Sequence, residues 1–319
     1  MKPVSQLSRG FRAVFDDHKS VPFAGLVVPL RLADRLGIRQ AIDARVTGRD
    51  RCLRRNSGDK TLNLAAMLLA GGEFISDVSM LRSGATLGRL GYRWFSESRL
   101  GEWLRSLTDS DIAGFADVLT ETTQAAWKHH DLGPDLSRNS ERSPLIIDLD
   151  GTVTETYGRT KAGTEARNYK GIHGYHPMLA VEATTGQVIT ALLRSGNASP
   201  AAGVGGFTND TLKRMRRLAG DSAALCLRAD SGFYLRELFD LCQQFDTRFS
   251  VTVRQHKPIQ QLIGDIADNQ WHKIDHGPQR RVDIAAVPFA IKGRTYQQQN
   301  NPVTCRLIIR RVTTPADTG

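Results

Sequence analysis

Two short apolar runs in this chain stop abruptly at an aspartate and then turn on a glycine. The first is Leu145-Ile146-Ile147-Asp148-Leu149-Asp150-Gly151-Thr152, and the second is Ala224-Leu225-Cys226-Leu227-Arg228-Ala229-Asp230-Ser231-Gly232. Apolar runs of this length, bounded by turn residues, read as buried strands. In open α/β sheets, ligands sit outside the carboxyl ends of the strands. If the two ends are neighbours, Asp150 and Asp230 gather negative charge that a divalent cation neutralises well. The pattern points to metal-dependent phosphoryl transfer. Aspartates that merely cap their own turns are the plainer alternative.

The chain has 319 residues, enough for two domains with a sizeable core. Its 43 basic residues outnumber 33 acidic ones, for a net charge of +10. Such an excess suits a polyanion partner, nucleic acid foremost, although a generically basic surface would read the same way. Cys52, Cys226, Cys242 and Cys305 are scattered without a CxxC pair, the usage of a reducing compartment. The first residues lack the apolar core of a signal peptide, and no run is long and apolar enough to span a membrane. The expectation is a cytoplasmic protein with no membrane partner.

Residues 1–140 read as mostly helical. Leu26, Leu30, Ala33 and Leu36 fall at helical spacing, as do Leu64, Met67 and Leu68. Ser96 or Ser98 is placed to cap a third helix, and a fourth is expected from Asp109 to Trp127. A basic, turn-rich stretch between the first two holds Arg45, Arg49, Arg51, Arg54, Arg55 and Lys60 as candidate phosphate contacts. The polar segment 131–140 reads as the domain boundary. Beyond it comes a strand ending at Asp150, then a hairpin from Tyr175 to Ala183 and Gln187 to Leu193. A basic helix (Thr208 to Leu218), the strand to Asp230, a helix (Tyr234 to Phe245) and a strand (Phe249 to Val253) complete the order β-β-β-α-β-α-β. Short strands follow, Arg281 to Val287 and Cys305 to Ile309.

The motifs occur in a recognisable order. Asp150-Gly151-Thr152, Asn168-Tyr169-Lys170-Gly171-Ile172-His173-Gly174-Tyr175 and Arg228-Ala229-Asp230-Ser231-Gly232-Phe233-Tyr234 resemble the catalytic domain of DDE-type transposases of bacterial insertion sequences. The nearest resemblance is to the group-one set, the insertion-sequence family numbered thirteen-eighty. Ala70-Gly71-Gly72-Glu73, Asp77-Val78-Ser79-Met80-Leu81-Arg82 and the late Cys305-Arg306-Leu307-Ile308-Ile309-Arg310-Arg311 are similar to that family as well. The resemblance implies an α/β fold: a helical DNA-binding domain (1–140), an RNase H-like core (141–256) and a β-rich insertion (257–319). In that fold the first and fourth strands adjoin, which sets Asp150 beside Asp230 as catalytic ligands of Mg²⁺ or Mn²⁺. It also implies Arg254 and Lys257 near DNA, double-stranded terminal repeats and target DNA as partners, a homo-oligomer in the DNA complex, and a nucleoid location.

One departure and one decoy accompany this reading. The family's third ligand is a glutamate in a Tyr-Arg-Glu-Lys-like helix, and no glutamate follows Glu237 here, so the chain is expected to be a truncated copy with impaired activity. A DNA-binding fragment that inhibits transposition without catalysing it is the alternative. Asp148-Leu149-Asp150-Gly151-Thr152 alone also resembles the first motif of haloacid dehalogenase-type phosphatases, with Asp148 as nucleophile. Asp148 reads as an outer ligand or orienter of Asp150, or as half of a buried pair with a basic residue. His173 with His176, and His272 with His276, lack cysteines at zinc spacing and read as phosphate contacts or simple surface residues. Lys213, Arg214, Arg216 and Arg217 on one helix fit either a solvated face or phosphate contacts.

Overall fold

The computed structural model describes residues 22–46, 52–82, 91–158, 160–164, 171–275, 281–293, 295 and 300–313. The chain divides into two compact units, Met1–Asp131 and Leu132–Gly319.

The described part of the first unit is helical: α1 (Val27–Arg35), α2 (Ile38–Arg45), α3 (Ser57–Leu69), α4 (Glu97–Ser106) and α5 (Asp109–His129). The sequence reading carries the first helix to Leu36 and misses α2; Gly37 takes the left-handed conformation (φ 66°) and divides the two helices. Arg45 therefore ends a helix rather than opening a loop. Ser96 does cap α4, its Oγ accepting the Arg99 N–H at 3.4 Å. Thr108 and Asp111 form a reciprocal cap on α5. Leu30, Ala66, Leu81 and Leu100 centre one apolar cluster, and Ile42, Val46, Trp103 and Val118 a second. Glycines let the helices close on α2. A Cβ on Gly58 of α3 would meet the Arg39 carbonyl oxygen at 2.3 Å, and one on Gly114 of α5 would meet that of Arg45 at 3.1 Å.

The second unit is mixed α/β. Its main sheet has the order β5-β4-β1-β6-β7, made of β1 (Leu145–Gly151), β4 (Met178–Glu182), β5 (Val188–Leu192), β6 (Leu225–Ala229) and β7 (Thr247–Val251). The short β2 (Thr154–Glu155) and β3 (Gly174–Tyr175) pair outside it. β4 runs antiparallel to both neighbours, whereas β1, β6 and β7 are parallel. This is the strand order expected of an RNase H-like core. Helices α6 (Val204–Ala219) and α7 (Arg236–Gln244) supply the crossovers that parallel strands require. Ile147, Leu149, Leu225 and Leu227 are buried in the strands, and Leu212, Met215, Leu238 and Phe239 are buried on the helices.

Between β4 and β5, Gly186 adopts φ 72°. The wholly buried Glu182 accepts the Thr184 N–H (3.0 Å), the Thr185 N–H (2.8 Å) and the Thr185 hydroxyl (2.7 Å). The unit begins at Leu132 because the turn-rich segment is tied to the sheet: Asn139 donates to the Ala224 carbonyl at 2.9 Å and accepts its N–H at 2.8 Å. A smaller sheet, β10-β9-β8, comprises β8 (His272–Asp275), β9 (Arg281–Ile291) and β10 (Val303–Thr313), the last two longer than their apolar cores suggest. Sequence reading missed α8 (Lys257–Gly264). Its Ile259, Leu262 and Ile263, at helical spacing, pack with Leu307, Ile309 and Trp271.

Candidate active site cleft

Alternation along β1 fixes which way each carboxylate faces. Leu145, Ile147 and Leu149 are buried, so Asp148 and Asp150 share the opposite, more open side. β6 alternates in the same way, with Leu225, Leu227 and Ala229 buried and Arg228 exposed. In the parallel pairing Asp148 lies across from Arg228 and Leu149 from Ala229. One step further, past the end of β6, the register sets Asp150 across from Asp230.

The two positions behave differently. Asp148 is held by Arg228, whose Nε donates to Oδ1 at 2.5 Å and Nη2 to Oδ2 at 2.6 Å. That hydrogen bond, with the carboxylate's charge, raises the Arg228 pKa. Of the readings of Asp148, pairing with a basic residue is the one observed, although the pair is exposed rather than buried. Asp150 and Asp230 have no such partner among the described residues. Each uses one oxygen to accept a nearby N–H, Asp150 from Gly151 and Asp230 from Gly232, both at 2.8 Å. A side chain at 232 would press on Asp230, since a Cβ there falls 3.0 Å from Oδ1. The donor set suits a hard divalent cation: two carboxylates on one side of the sheet, each with its other oxygen unengaged by any described residue.

Beside them opens a cleft of about 520 Å³, whose lining includes Gly151, His176, Arg194, Asp230, Gly232 and Arg254. Arg254 follows β7 and donates from Nε to the Ser231 hydroxyl at 3.4 Å. Lys257 is exposed at the start of α8 and is not among the lining residues. Sequence reasoning missed Arg194 altogether and treated His176 as a surface residue or phosphate contact. His176 is in fact buried. The available signal was a single charged residue closing the apolar run Val188 to Leu193.

The basic stretch of the first unit fares unevenly. Arg54 and Arg55 are exposed. Arg45 pairs with Glu121 at 2.6 Å, and Arg49 and Arg51 lie outside the described residues. Lys60 contradicts its expected role. It is 2 % exposed, its ammonium donates to the Leu53 and Arg55 carbonyls, and it stands over the rings of Phe95 and Trp103. Burial lowers its pKa. A lysine used this way holds the loop before α3 and has no reach to phosphate. Of the later histidines, His272 is exposed and His276 lies outside the described residues.

No third acidic ligand is in place among the described residues. Among the described residues, no group of three or more His, Cys, Asp or Glu side chains could hold a metal. The Glu237 carboxylate lies against Gly205 in the first turn of α6, and Asp283 is buried against Arg311. The phosphatase reading does not fit either, because its nucleophile would be Asp148, and Arg228 grips both oxygens of that side chain.

A family model described as "Transposase DDE domain group 1" matches residues 6–317. The chain belongs to that family. As a group 1 DDE domain it also has distant likeness to solved transposase assemblies. One is a piggyBac transposase synaptic complex with hairpin DNA, at 12% identity and a TM-score of 0.34, covering 89% of this chain and 60% of that one. Another is a Mos1 transposase paired-end complex with the left transposon end, at 12% identity and a TM-score of 0.24, covering 60% and 57%. The DDE domain chain thus spans about 60% of the length of the solved chains it matches. No curated protein matches it.

Proposed function

We propose that this DDE domain cleaves and joins DNA at the ends of an insertion sequence, in the manner of the family numbered thirteen-eighty. The observation that carries the reading is the β1–β6 register, which continued one step sets Asp150 across from Asp230, two carboxylates without basic partners among the described residues, with Asp230 in the wall of a cleft that also holds arginines. Asp150 and Asp230 would hold Mg²⁺ or Mn²⁺, which when bound supplies nucleophile activation and neutralises charge at the phosphate. The rest falls to the chain itself. The turns at Gly151 and Gly232 fix one oxygen of each carboxylate, so the other faces outward already oriented. Arg228 keeps Asp148 from competing for the cation. Arg254 beside Asp230, with Lys257 nearby in sequence, would meet backbone phosphates, while Arg49, Arg51, Arg54 and Arg55 would hold double-stranded DNA from the first unit. Residues 257–319 would form an insertion in the RNase H-like core, and synapsis of two element ends would require a homo-oligomer.

With two acidic ligands, cation binding should be weak, and Mn²⁺ should bind more tightly than Mg²⁺. Titration calorimetry on the chain, on Asp150→Ala and on Asp230→Ala tests this. Loss of Mn²⁺ binding in both variants is the expected result, and unchanged binding in both would remove the site. A chain that binds DNA but does not nick it with Mn²⁺ would favour the non-catalytic, inhibitory role, which the lack of a third described ligand already supports.

A further inference from the structure

Arg194, just past the end of β5, is 8 % exposed, yet no carboxylate pairs with it among the described residues. Its guanidinium is held by backbone carbonyls alone. Nε donates to His176 at 2.9 Å, and Nη1 donates to Ser199 (3.2 Å), Pro200 (3.4 Å) and Ala202 (2.9 Å). These bonds fix the plane of the group and occupy two of its three nitrogens. The third, Nη2, donates to no described residue. It points past Gly151, where a Cβ would lie 3.5 Å from Nη2 and 3.5 Å from His176 Nε2. That side is the cleft, whose wall also includes Asp230 and Arg254.

A buried cation without a counter-ion is costly unless something pairs with it. Burial pulls its pKa down, but a guanidinium stays charged at any physiological pH. Capping the His176, Ser199, Pro200 and Ala202 carbonyls accounts for Nε and Nη1 but leaves Nη2 without a described partner. With no described carboxylate paired to it, the partner that suits Nη2 is an anion small enough to enter the cleft and able to accept from a fixed N–H edge. Gly151 keeps the approach open, because any side chain there would stand in front of Nη2.

We propose that Arg194 forms a phosphate subsite in this cleft, its Nη2 edge taking a non-bridging oxygen of a DNA backbone phosphate beside Asp230. The subsite rests on the reading of the cleft as the DNA-processing site. It adds a preformed anion grip that holds the phosphate whether or not a cation is bound.

The test uses the full chain, inorganic phosphate as probe followed by ³¹P NMR without divalent metal, and two variants. Arg194→Gln removes the donor, while Gly151→Val leaves the carbonyl cradle intact and fills the space in front of Nη2. Both should weaken phosphate binding at least about tenfold, a loss typical of one charge-assisted hydrogen bond. In salt titrations with a short DNA duplex, each should also make the log K against log salt slope shallower by about 0.9, one phosphate contact. If Arg194→Gln fails to fold by circular dichroism, Gly151→Val decides. Phosphate binding that is unchanged in the folded variants, or absent from the parent chain, overturns the subsite. Mn²⁺ calorimetry on the same preparations separates the two ideas. Intact Mn²⁺ binding with Arg194-independent phosphate binding sinks the subsite alone, and the reverse pattern sinks the metal reading alone.

Discussion

Tyr92 shows how a single buried group makes stability depend on pH. It is 8 % exposed, and its hydroxyl donates to the Leu30 carbonyl at 2.8 Å and to Asp34 at 2.7 Å. Burial first, then the hydrogen bond to Asp34, pushes its pKa from 10.0 up to about 12. A raised pKa in the folded state means that the stabilisation is complete below the unfolded value and is lost as pH climbs from 10.0 through about 12. Two pKa units correspond to roughly 3 kcal/mol at most. Urea midpoints measured across that window should fall for the parent chain and fall less for Tyr92→Phe; parallel curves would contradict the assignment. Lys60 makes the complementary point about reading residues. In the sequence it is one more cation in a run with Arg54 and Arg55, and charge gives no hint of direction. The fold decides, turning Lys60 inward onto two carbonyls and leaving both arginines exposed.

At the scale of elements, α2 is gripped through glycines. Gly58 of α3 stands where any Cβ would meet the Arg39 carbonyl at 2.3 Å, and the obstacle is backbone rather than a flexible side-chain end. Gly58→Ala must therefore push α3 off α2. Overpacking of this kind costs about 1–3 kcal/mol, a further cost beyond any gain in helix propensity from alanine. The expected result is a lower urea midpoint with little change in helical content by circular dichroism; an unchanged or higher midpoint would show that the helices move apart freely. The same scale shows what periodicity reads well and badly. The β-β-β-α-β-α-β order was legible because each element is a run of apolar residues at one period between clear turns. α2 and α8 were missed because each is only 8 residues long, too short for its spacing to stand out.

For the molecule as a whole, the net charge of +10 sets an expectation for DNA. With Lys60 buried and Arg45 paired to Glu121, the phosphate contacts proposed for the first unit reduce to Arg49, Arg51, Arg54 and Arg55. Four phosphate contacts correspond to a slope of log K against log salt of about −3.6. Replacing all four by glutamine should flatten the slope of the full chain by nearly that amount, as read by fluorescence anisotropy. A slope that survives the replacement would move DNA binding to the second unit, where Arg254 and Arg194 face the cleft.

The strand ends at Asp150 and Asp230 follow from local sequence, because an apolar run that meets a carboxylate and then a glycine loses both its burial and its extended backbone there. Local sequence also carries the order of elements in the core, the hairpin turn at Gly186 and, through motif order, the family. Which charges are used, and how, was settled only by the folded arrangement. The parallel register of β1 and β6 joins Asp148 to Arg228 and, continued one step, sets Asp150 across from Asp230, neither with a basic partner among the described residues. The hairpin's end brings Arg194 beside Gly151, 43 positions earlier in the chain. These outcomes depend on contacts between residues distant in sequence. Local pattern fixes only which face a side chain takes, whereas pairing of strands and helices fixes what it meets there.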